Sequence, residues 1–359
     1  MKVRKAISDL DLYAPPIEQR AQQDYLLLDF NESTQPPSES IKRALAQYAE
    51  RGRLQMYPSY GGFLEKLAAY TGARTDQLLI TNGSDSAIQV ILHALLDPGD
   101  EMIFPKPGFA VIESCALTQG AKVISPLFEG PEMRFPFEGI QAAVTPRTRV
   151  IVVISPNNPT GTSPEPGDIE ALLHSFPDVA VMVDEAYFEF SGHTCLGLLA
   201  RYDNLVITRT FSKAFALAGL RLGYAISNPG FIRELEKIRI PYDVNSLAVV
   251  AAEAALDDPA PWRGYVAEVM LKAKPSVERF LKEHGVFFVP SQTNFLLIRP
   301  DSAAEACQFL ESHGILVRPQ KKPIADMFRM SIGTMPDMQR FMQVFSTYLT
   351  RVSPKSARA

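Results

Sequence analysis

The stretch Val150-Ile151-Val152-Val153-Ile154 runs directly into Ser155-Pro156-Asn157-Asn158-Pro159-Thr160-Gly161. Five consecutive β-branched residues offer no polar face. A strand of this kind must be covered on both sides, which is the condition of an inner strand in a parallel sheet. It stops at a turn stiffened by two prolines and a glycine. Such a turn can aim an asparagine side chain at a ligand, or can simply end the strand. Working outward, further strands are expected at Leu78–Thr81, Glu101–Phe104, Lys122–Ser125, Val179–Val183, Leu205–Thr210 and Leu222–Ile226. Between them, Ser86–Leu96 and Pro166–Ser175 have the composition of crossover helices. Alternation of this kind predicts an α/β fold, an open and mostly parallel sheet with helices on both faces. Ligands of such sheets sit beyond the carboxyl ends of the strands.

The chain has 359 residues, of which 46% are hydrophobic and 21% charged, with a formal net charge of -4. That is enough chain for one large and one small domain. No basic excess points to nucleic acid, and no polybasic cluster points to an anionic membrane. No apolar run has the length of a membrane span. The opening Met1-Lys2-Val3-Arg4-Lys5 leads into Asp9 and Asp11 without the apolar core of a signal peptide. Cys115, Cys195 and Cys307 are scattered and odd in number, which suggests free thiols in a reducing, cytoplasmic compartment. Histidine spacing gives no expectation of a metal site.

Chemistry concentrates where the strands end. In Thr210-Phe211-Ser212-Lys213-Ala214-Phe215-Ala216-Leu217-Ala218-Gly219-Leu220-Arg221, Lys213 is the one amine of a small, apolar run. A buried ammonium must be neutralised, paired or covalently committed. Lysine suits Schiff-base chemistry because burial readily lowers its pKa. Ser212 and Arg221 bracket it with groups suited to an anion, so a phosphate-bearing aldehyde, pyridoxal 5′-phosphate, is already suggested. A helix lysine with its head in water is the plainer alternative. Thr81-Asn82-Gly83-Ser84-Asp85 follows a strand and opens a helix. Its first N–H groups and Ser84 hydroxyl can bind an anion, while Ser84 or Asp85 could equally be a helix cap. Asp184 follows the apolar run Val179–Val183, and a carboxylate there needs a cation or hydrogen-bond donors. Tyr187 lies three residues on.

The residues before 45 resemble an extended arm rich in proline and acidic residues. A helix is expected from Pro229 past Arg239, interrupted at Pro241. Beyond 245 the chain turns helical. It then offers strands at Phe287–Val289 and Asn294–Ile298, a helix at Ala303–His313, strands at Ile315–Arg318 and Phe328–Ile332, and a last helix at Met335–Leu349. The expected division is an N-terminal arm (1–44), a large domain (45–245) and a small α+β domain (246–359).

Taken in order, Tyr57-Pro58, Asn82-Gly83-Ser84-Asp85, Asn158-Pro159-Thr160-Gly161, Asp184-Glu185-Ala186-Tyr187, Ser212-Lys213-Ala214-Phe215, Gly219-Leu220-Arg221, Val317-Arg318 and Phe328-Arg329-Met330-Ser331-Ile332-Gly333-Thr334 span nearly the whole chain. This series resembles the class I/II aminotransferases of fold type I, and within them the histidinol-phosphate aminotransferases. The resemblance implies a mostly parallel seven-stranded sheet, pyridoxal 5′-phosphate as cofactor, an amino donor with a 2-oxo acid acceptor (2-oxoglutarate), and a homodimer.

Residue roles follow from the same resemblance. Lys213 carries the cofactor covalently and moves the proton. Asp184 pairs with the ring nitrogen. Asn158 and Tyr187 bind the ring oxygen, and Phe109 stacks on the ring. Gly83, Ser84, Asp85, Thr210, Ser212 and Arg221 hold the phosphate, joined by Tyr57 from the neighbouring subunit. Arg329 grips a substrate carboxylate, Arg318 the phosphate of histidinol phosphate, and Tyr13 closes over the substrate. Lys321 and Lys322 add charge nearby. Three departures fall on the substrate side: Asn31-Glu32-Ser33-Thr34 replaces Asn-Glu-Asn-Pro, Ser86 stands where many members carry Glu, and Ile112 where an aromatic is common. Aromatic amino-acid transamination, threonine-phosphate decarboxylation and a non-catalytic regulatory role therefore stay open beside histidinol-phosphate transamination.

Overall fold

In the computed structural model, Val150, Ile151, Val152 and Val153 have no exposed surface, as two-sided apolarity demands. The structure describes residues 1–10, 12, 17, 20 and 24–352; Tyr13 lies outside the described residues. Numbered along the chain, the strands are β1 (Leu26–Leu27), β2 (Leu78–Thr81), β3 (Glu101–Ile103), β4 (Lys122–Ile124), β5 (Thr148–Ile154), β6 (Ala180–Asp184) and β7 (Leu205–Thr210). They continue as β8 (Gly223–Ser227), β9 (Phe287–Val289), β10 (Phe295–Arg299), β11 (Ile315–Leu316), β12 (Arg318–Pro319) and β13 (Phe328–Ser331).

Seven strands form the main sheet in the order β2-β8-β7-β6-β5-β3-β4. All neighbours run parallel except β8, which is antiparallel to both β7 and β2. The strand period of two sorts the apolar residues onto two covers. Ile151, Val153, Val181, Val183 and Ile207 share one core with Leu172 and Leu173 of the helix Asp168–Ser175. Val150, Val152, Ile154, Met182 and Val206 share the other with Ile88, Ile91 and Leu92 of the helix Gly83–Leu95. The helix Ser246–Asp257 packs on Glu39–Glu50, whose first turn is capped by the Ser38 side chain.

The later part of the chain builds an antiparallel sheet of four strands, β12-β13-β10-β9. The run expected as one strand, Ile315–Arg318, is divided. Ile315 and Leu316 pair with Leu26 and Leu27, whereas Arg318 and Pro319 pair with Arg329 and Phe328. The helix beginning at Pro229 ends at Glu236, short of the expected Arg239. Arg239 instead turns its guanidinium to Asp243 at 3.0 Å, and Pro241 disfavours helical backbone at Ile240. No helix among the described residues is long and apolar enough to cross a membrane.

Candidate active site

Register fixes which residues share the carboxyl edge of the main sheet. Ile154 pairs with Asp184, Asp184 with Thr208, Thr210 with Gly223, and Gly223 with Thr81. This edge row, stepped by two residues along β7 between Thr208 and Thr210, carries the chemistry, and three loops hang from it: Ser155–Gly161, Glu185–Tyr187 and Phe211–Leu222.

At one end of the row is a cup of donors. Gly83 adopts φ +76, the left-handed region, and opens the helix Gly83–Leu95. A Cβ on Gly83 would sit 2.7 Å from Arg221 Nη2, and one on Gly223 would sit 2.3 Å from the Ser84 amide nitrogen. Only glycine lets these donors approach so closely. Thr210 Oγ1 donates to Ser212 Oγ at 2.9 Å and accepts from the Ser212 amide at 3.1 Å. Arg221, itself in the left-handed region at φ 56, reaches Ser212 Oγ at 3.4 Å and Asp85 Oδ2 at 2.9 Å. The N-cap residue of the helix Gly83–Leu95, Asn82, makes no side-chain capping bond. The capping alternative for Ser84 and Asp85 is thus not what the structure adopts, and Asp85 fixes the Arg221 guanidinium instead.

Asp184 lies further along the row, 4% exposed, and Thr208 Oγ1 donates to its Oδ1 at 2.8 Å. Burial pushes its carboxyl up to about 7, against the pull of the Thr208 hydroxyl; Asp85 and Glu185 add to the rise. Among the described residues this carboxylate forms no salt bridge. Behind it, on the opposite strand face, Arg209 and Glu185 form a buried ion pair at 2.8 Å. Glu185 also accepts from Thr194 Oγ1 and from the Cys195 amide, and the Arg209 guanidinium lies 3.8 Å from the Phe188 ring centroid.

Lys213 is only partly buried, and its Nζ donates to the Phe30 carbonyl at 2.9 Å. Burial, then the nearby Arg329 charge, lowers its ammonium to about 8. The alternative of a lysine with its head in water is therefore not realised. Tyr187 is buried, and Asn31 Nδ2 donates to its hydroxyl at 2.8 Å. Burial raises the phenol to about 12, so it stays protonated and can donate in turn.

Arg329 closes the site from β13. It donates to Asn158 Oδ1 at 2.5 Å and to the Asp29 carbonyl at 2.7 Å. Asn157, the neighbour of Asn158 in the turn, is buried and structural, donating to the Pro107 carbonyl at 3.0 Å and to Thr160 Oγ1 at 2.9 Å. Arg318 stands opposite Arg329 in register, and its guanidinium lies 5.1 Å from the Phe30 ring centroid. Phe109 is the N-cap residue of the helix Ala110–Gln119 and is partly buried against the core that holds Val150, Val152 and Ile88. Ile112 is fully buried in that same core, away from any role as a surface contact. Tyr57 is 80% exposed, stacked on Tyr242 with ring centroids 4.6 Å apart. Within this chain it is not among the groups gathered around Lys213.

Sequence reasoning misses three participants and one pairing. Thr208 carries a signal, since it lies two residues before Thr210 and so on the same strand face. Phe30 acts through its carbonyl, which no residue type announces. Asn31 enters the sequence reading only within a departure from a family pattern, and its φ of 55 is a tertiary feature. The pairing of Arg209 with Glu185 joins two segments and is invisible in either alone.

These groups fit pyridoxal phosphate. The cup around Gly83 and Gly223 offers hydroxyl, amide and guanidinium donors for a phosphate. Asp184 is a buried carboxylate suited to a protonated ring nitrogen. Lys213 presents an amine whose burial favours the neutral, nucleophilic form. The Aminotransferase class I and II family model matches residues 23–345. A histidinol-phosphate aminotransferase of Geobacillus thermodenitrificans is 36% identical over 97% of this chain and 98% of that protein. A dihydroxyacetone phosphate transaminase of Campylobacter jejuni is 34% identical over 94% of this chain and 95% of its own length. A crystal structure of histidinol-phosphate aminotransferase from Sinorhizobium meliloti in complex with pyridoxal-5′-phosphate superposes with a TM-score of 0.88 at 23% identity, covering 98% of each chain. The chain belongs to the class I and II aminotransferases, and it is a pyridoxal-phosphate-dependent enzyme that moves an amino group between a donor and a 2-oxo acid.

Proposed function

We propose that the amino donor is histidinol phosphate and the acceptor 2-oxoglutarate, the transamination of histidine biosynthesis. The observation that carries this reading is the in-register pair Arg318 and Arg329, of which Arg329 acts directly on Lys213. Two arginines at opposed register positions bring like charges to one face of the sheet, which an anion would offset, and arginine matches phosphate and carboxylate geometry. The two relatives named above are both named for substrates bearing a phosphate monoester.

The residues then divide the work. Gly83, Ser84, Asp85, Thr210, Ser212 and Arg221 hold the cofactor phosphate. Asp184 keeps a proton on the ring nitrogen, with Thr208 orienting the carboxylate. Asn158 and Tyr187 bind the ring oxygen, and Phe109 covers the ring. When bound, pyridoxal phosphate supplies an electron sink for the pair left behind as the donor's Cα–H bond breaks. Lys213 Nζ, in its neutral form, takes that Cα proton as general base and returns it as general acid. Arg329 positions the carboxylate of 2-oxoglutarate, and Arg318 the donor phosphate. Tyr13 belongs to the same proposal as a residue closing over the substrate.

A homodimer completes this reading. Leu54, Met56, Tyr57, Ile240 and Tyr242 are all more than half exposed, an apolar patch suited to a second copy. Tyr57 would then serve the partner subunit's phosphate cup. We also propose the division into arm (1–44), large domain (45–245) and small domain (246–359), and a cytoplasmic location in keeping with three free cysteines.

A donor panel tests the substrate. Purified enzyme is given histidinol phosphate, phenylalanine, tyrosine or threonine phosphate with 2-oxoglutarate, and dihydroxyacetone phosphate is tried as a second acceptor. Turnover of histidinol phosphate at least ten-fold above the aromatic amino acids is the expected result. The reverse order would make this an aromatic aminotransferase. Carbon dioxide from threonine phosphate would indicate a decarboxylase. Bound cofactor without turnover of any donor would indicate a regulatory protein.

A further inference from the structure

Phe30 links the amine of the site to a second cluster of charge. Its carbonyl accepts from Lys213 Nζ, and two guanidinium groups lie against its ring, Arg318 at 5.1 Å and Arg20 at 4.6 Å from the centroid. Arg20 has a side chain only 13% exposed and is bound by Glu32, with Arg20 Nη1 donating to Glu32 Oε1 at 3.3 Å and a closer contact from Nη2. Asp29 stands 3.4 Å from Arg20 Nη2. Burial raises the Asp29 carboxyl above its ordinary value; Arg20 and Arg318 both pull it down, and Glu32 pushes it up. All four charges therefore share one neighbourhood, and the Glu32 charge also reaches Lys213.

The cluster has an unspent cationic capacity. Among the described residues Arg318 makes no ion pair with a carboxylate, and the buried Arg20 Nε has no hydrogen-bond partner. Arg20 and Arg318 both act on Asp29, the carboxyl that burial discourages from ionising, and Glu32 is bound to Arg20. With Glu32 turned away, a phosphate placed here would offset the two guanidinium charges, and arginines take phosphate oxygens in bidentate fashion. Glu32 is a third exposed at its side chain, so it can leave Arg20 for water at little desolvation cost.

We propose that Arg20 is a second anion-binding residue for the donor, acting with Arg318 over the Phe30 ring, and that Glu32 is the internal counter-ion which an incoming phosphate monoester replaces. This rests on the reading that the donor carries a phosphate. Without substrate, Glu32 keeps Arg20 neutralised and in place. With substrate, the phosphate takes over that guanidinium, and the carboxylate turns to solvent. A donor lacking phosphate leaves Arg20 and Glu32 paired.

Inorganic phosphate is the probe, used against the cofactor-loaded enzyme, with cofactor absorbance followed to show that none is displaced. Arg20→Gln is expected to raise the phosphate inhibition constant about ten-fold or more, and to lower kcat/KM for histidinol phosphate by at least that factor relative to histidinol. Glu32→Gln is expected to lower the phosphate inhibition constant several-fold, because the competing carboxylate is gone. An unchanged phosphate constant in Arg20→Gln overturns the proposal, as does weaker phosphate binding in Glu32→Gln. Should Arg20→Gln fail to fold, Glu32→Gln decides alone, with tighter binding supporting the proposal and unchanged or weaker binding overturning it. If both phosphate constants move as expected while wild-type enzyme ignores histidinol phosphate, the donor assignment fails and the anion site stands.

Discussion

Arg318 and Arg329 face each other in register across β12 and β13. They are held differently. Arg329 is buried and tied to Asn158 and to the Asp29 carbonyl, so its direction is set. Arg318 is partly exposed and rests over Phe30. Opposed like charges cost stability in a bare sheet, and an anion between them removes that cost. Under the proposed function, one fixed and one adjustable arginine would read two different anions in the two half-reactions.

Arg318→Ala should separate those half-reactions. We expect kcat/KM for histidinol phosphate to fall about ten- to a hundred-fold, the worth of a charge-assisted contact. The constant for 2-oxoglutarate should change no more than a few-fold. Stopped-flow measurement of each half-reaction reads both, and an equal loss on each would make Arg318 a structural residue.

Lys213→Ala should reduce turnover by about 10²–10⁴-fold or more, the range for loss of a positioned acid–base group, with covalent attachment lost as well. In wild type, borohydride reduction and peptide mapping should label Lys213. Its ammonium is lowered to about 8 by burial, and the neutral amine is the nucleophile. Capture of added pyridoxal phosphate by the cofactor-free protein should therefore accelerate from pH 7 to pH 9. A flat profile would mean that proton release from Lys213 does not limit capture.

Asp184 gives a stability signature in the cofactor-free protein. Its folded carboxyl titrates near 7, above the ordinary value of 3.8, so between these pH values the folded state holds the proton more tightly. Stability from this group is present at low pH and is lost as pH rises toward 7. Asp184→Asn should flatten that loss, seen as a smaller fall in Tm between pH 4 and pH 7. In the loaded enzyme the same substitution should remove most activity, since no carboxylate then holds the ring proton.

Gly223→Ala should empty the phosphate cup without removing any donor. The added methyl would lie 2.3 Å from the Ser84 nitrogen and 2.9 Å from the Arg209 carbonyl, both backbone atoms that cannot step aside. Affinity for pyridoxal phosphate should drop at least ten-fold by equilibrium dialysis. Gly197→Ala is the control: a Cβ there would meet nothing within 4 Å, and affinity should be unchanged.

Arg209→Met should be severe although the Arg209 side chain bonds to Glu185 and Thr194 and to no group of the donor cup. It leaves Glu185 buried and uncompensated, with an expected cost of about 3–5 kcal/mol in denaturant unfolding. Adding Glu185→Gln should recover part of that loss. Independent, additive effects would show that the two side chains do not act as a pair.

Several features were legible in the chain itself. The apolar run 150–154 specified a doubly covered strand, because its residue types leave no face for water. Lys213, Asp184 and Gly83 stood out because an amine, a carboxylate and a glycine at strand ends each need a physical reason to be there. Chain order alone even supplied the sheet's alternation with helices. Strand ends were less secure: Ile315–Arg318 reads as one extended segment, yet it serves two sheets. Extended backbone has the same local signature whichever partner it pairs with.

Local sequence thus determined which residue types could do chemistry and which segments had to be buried. Only the tertiary structure decided who meets whom: Lys213 with the carbonyl of Phe30, Tyr187 with Asn31, Arg329 with Asn158 and the Asp29 carbonyl, and Arg20 with Arg318 over a shared ring. Those contacts join residues up to 300 positions apart. They are set by strand register and by packing between elements, and neither quantity is encoded in the spacing of any single segment.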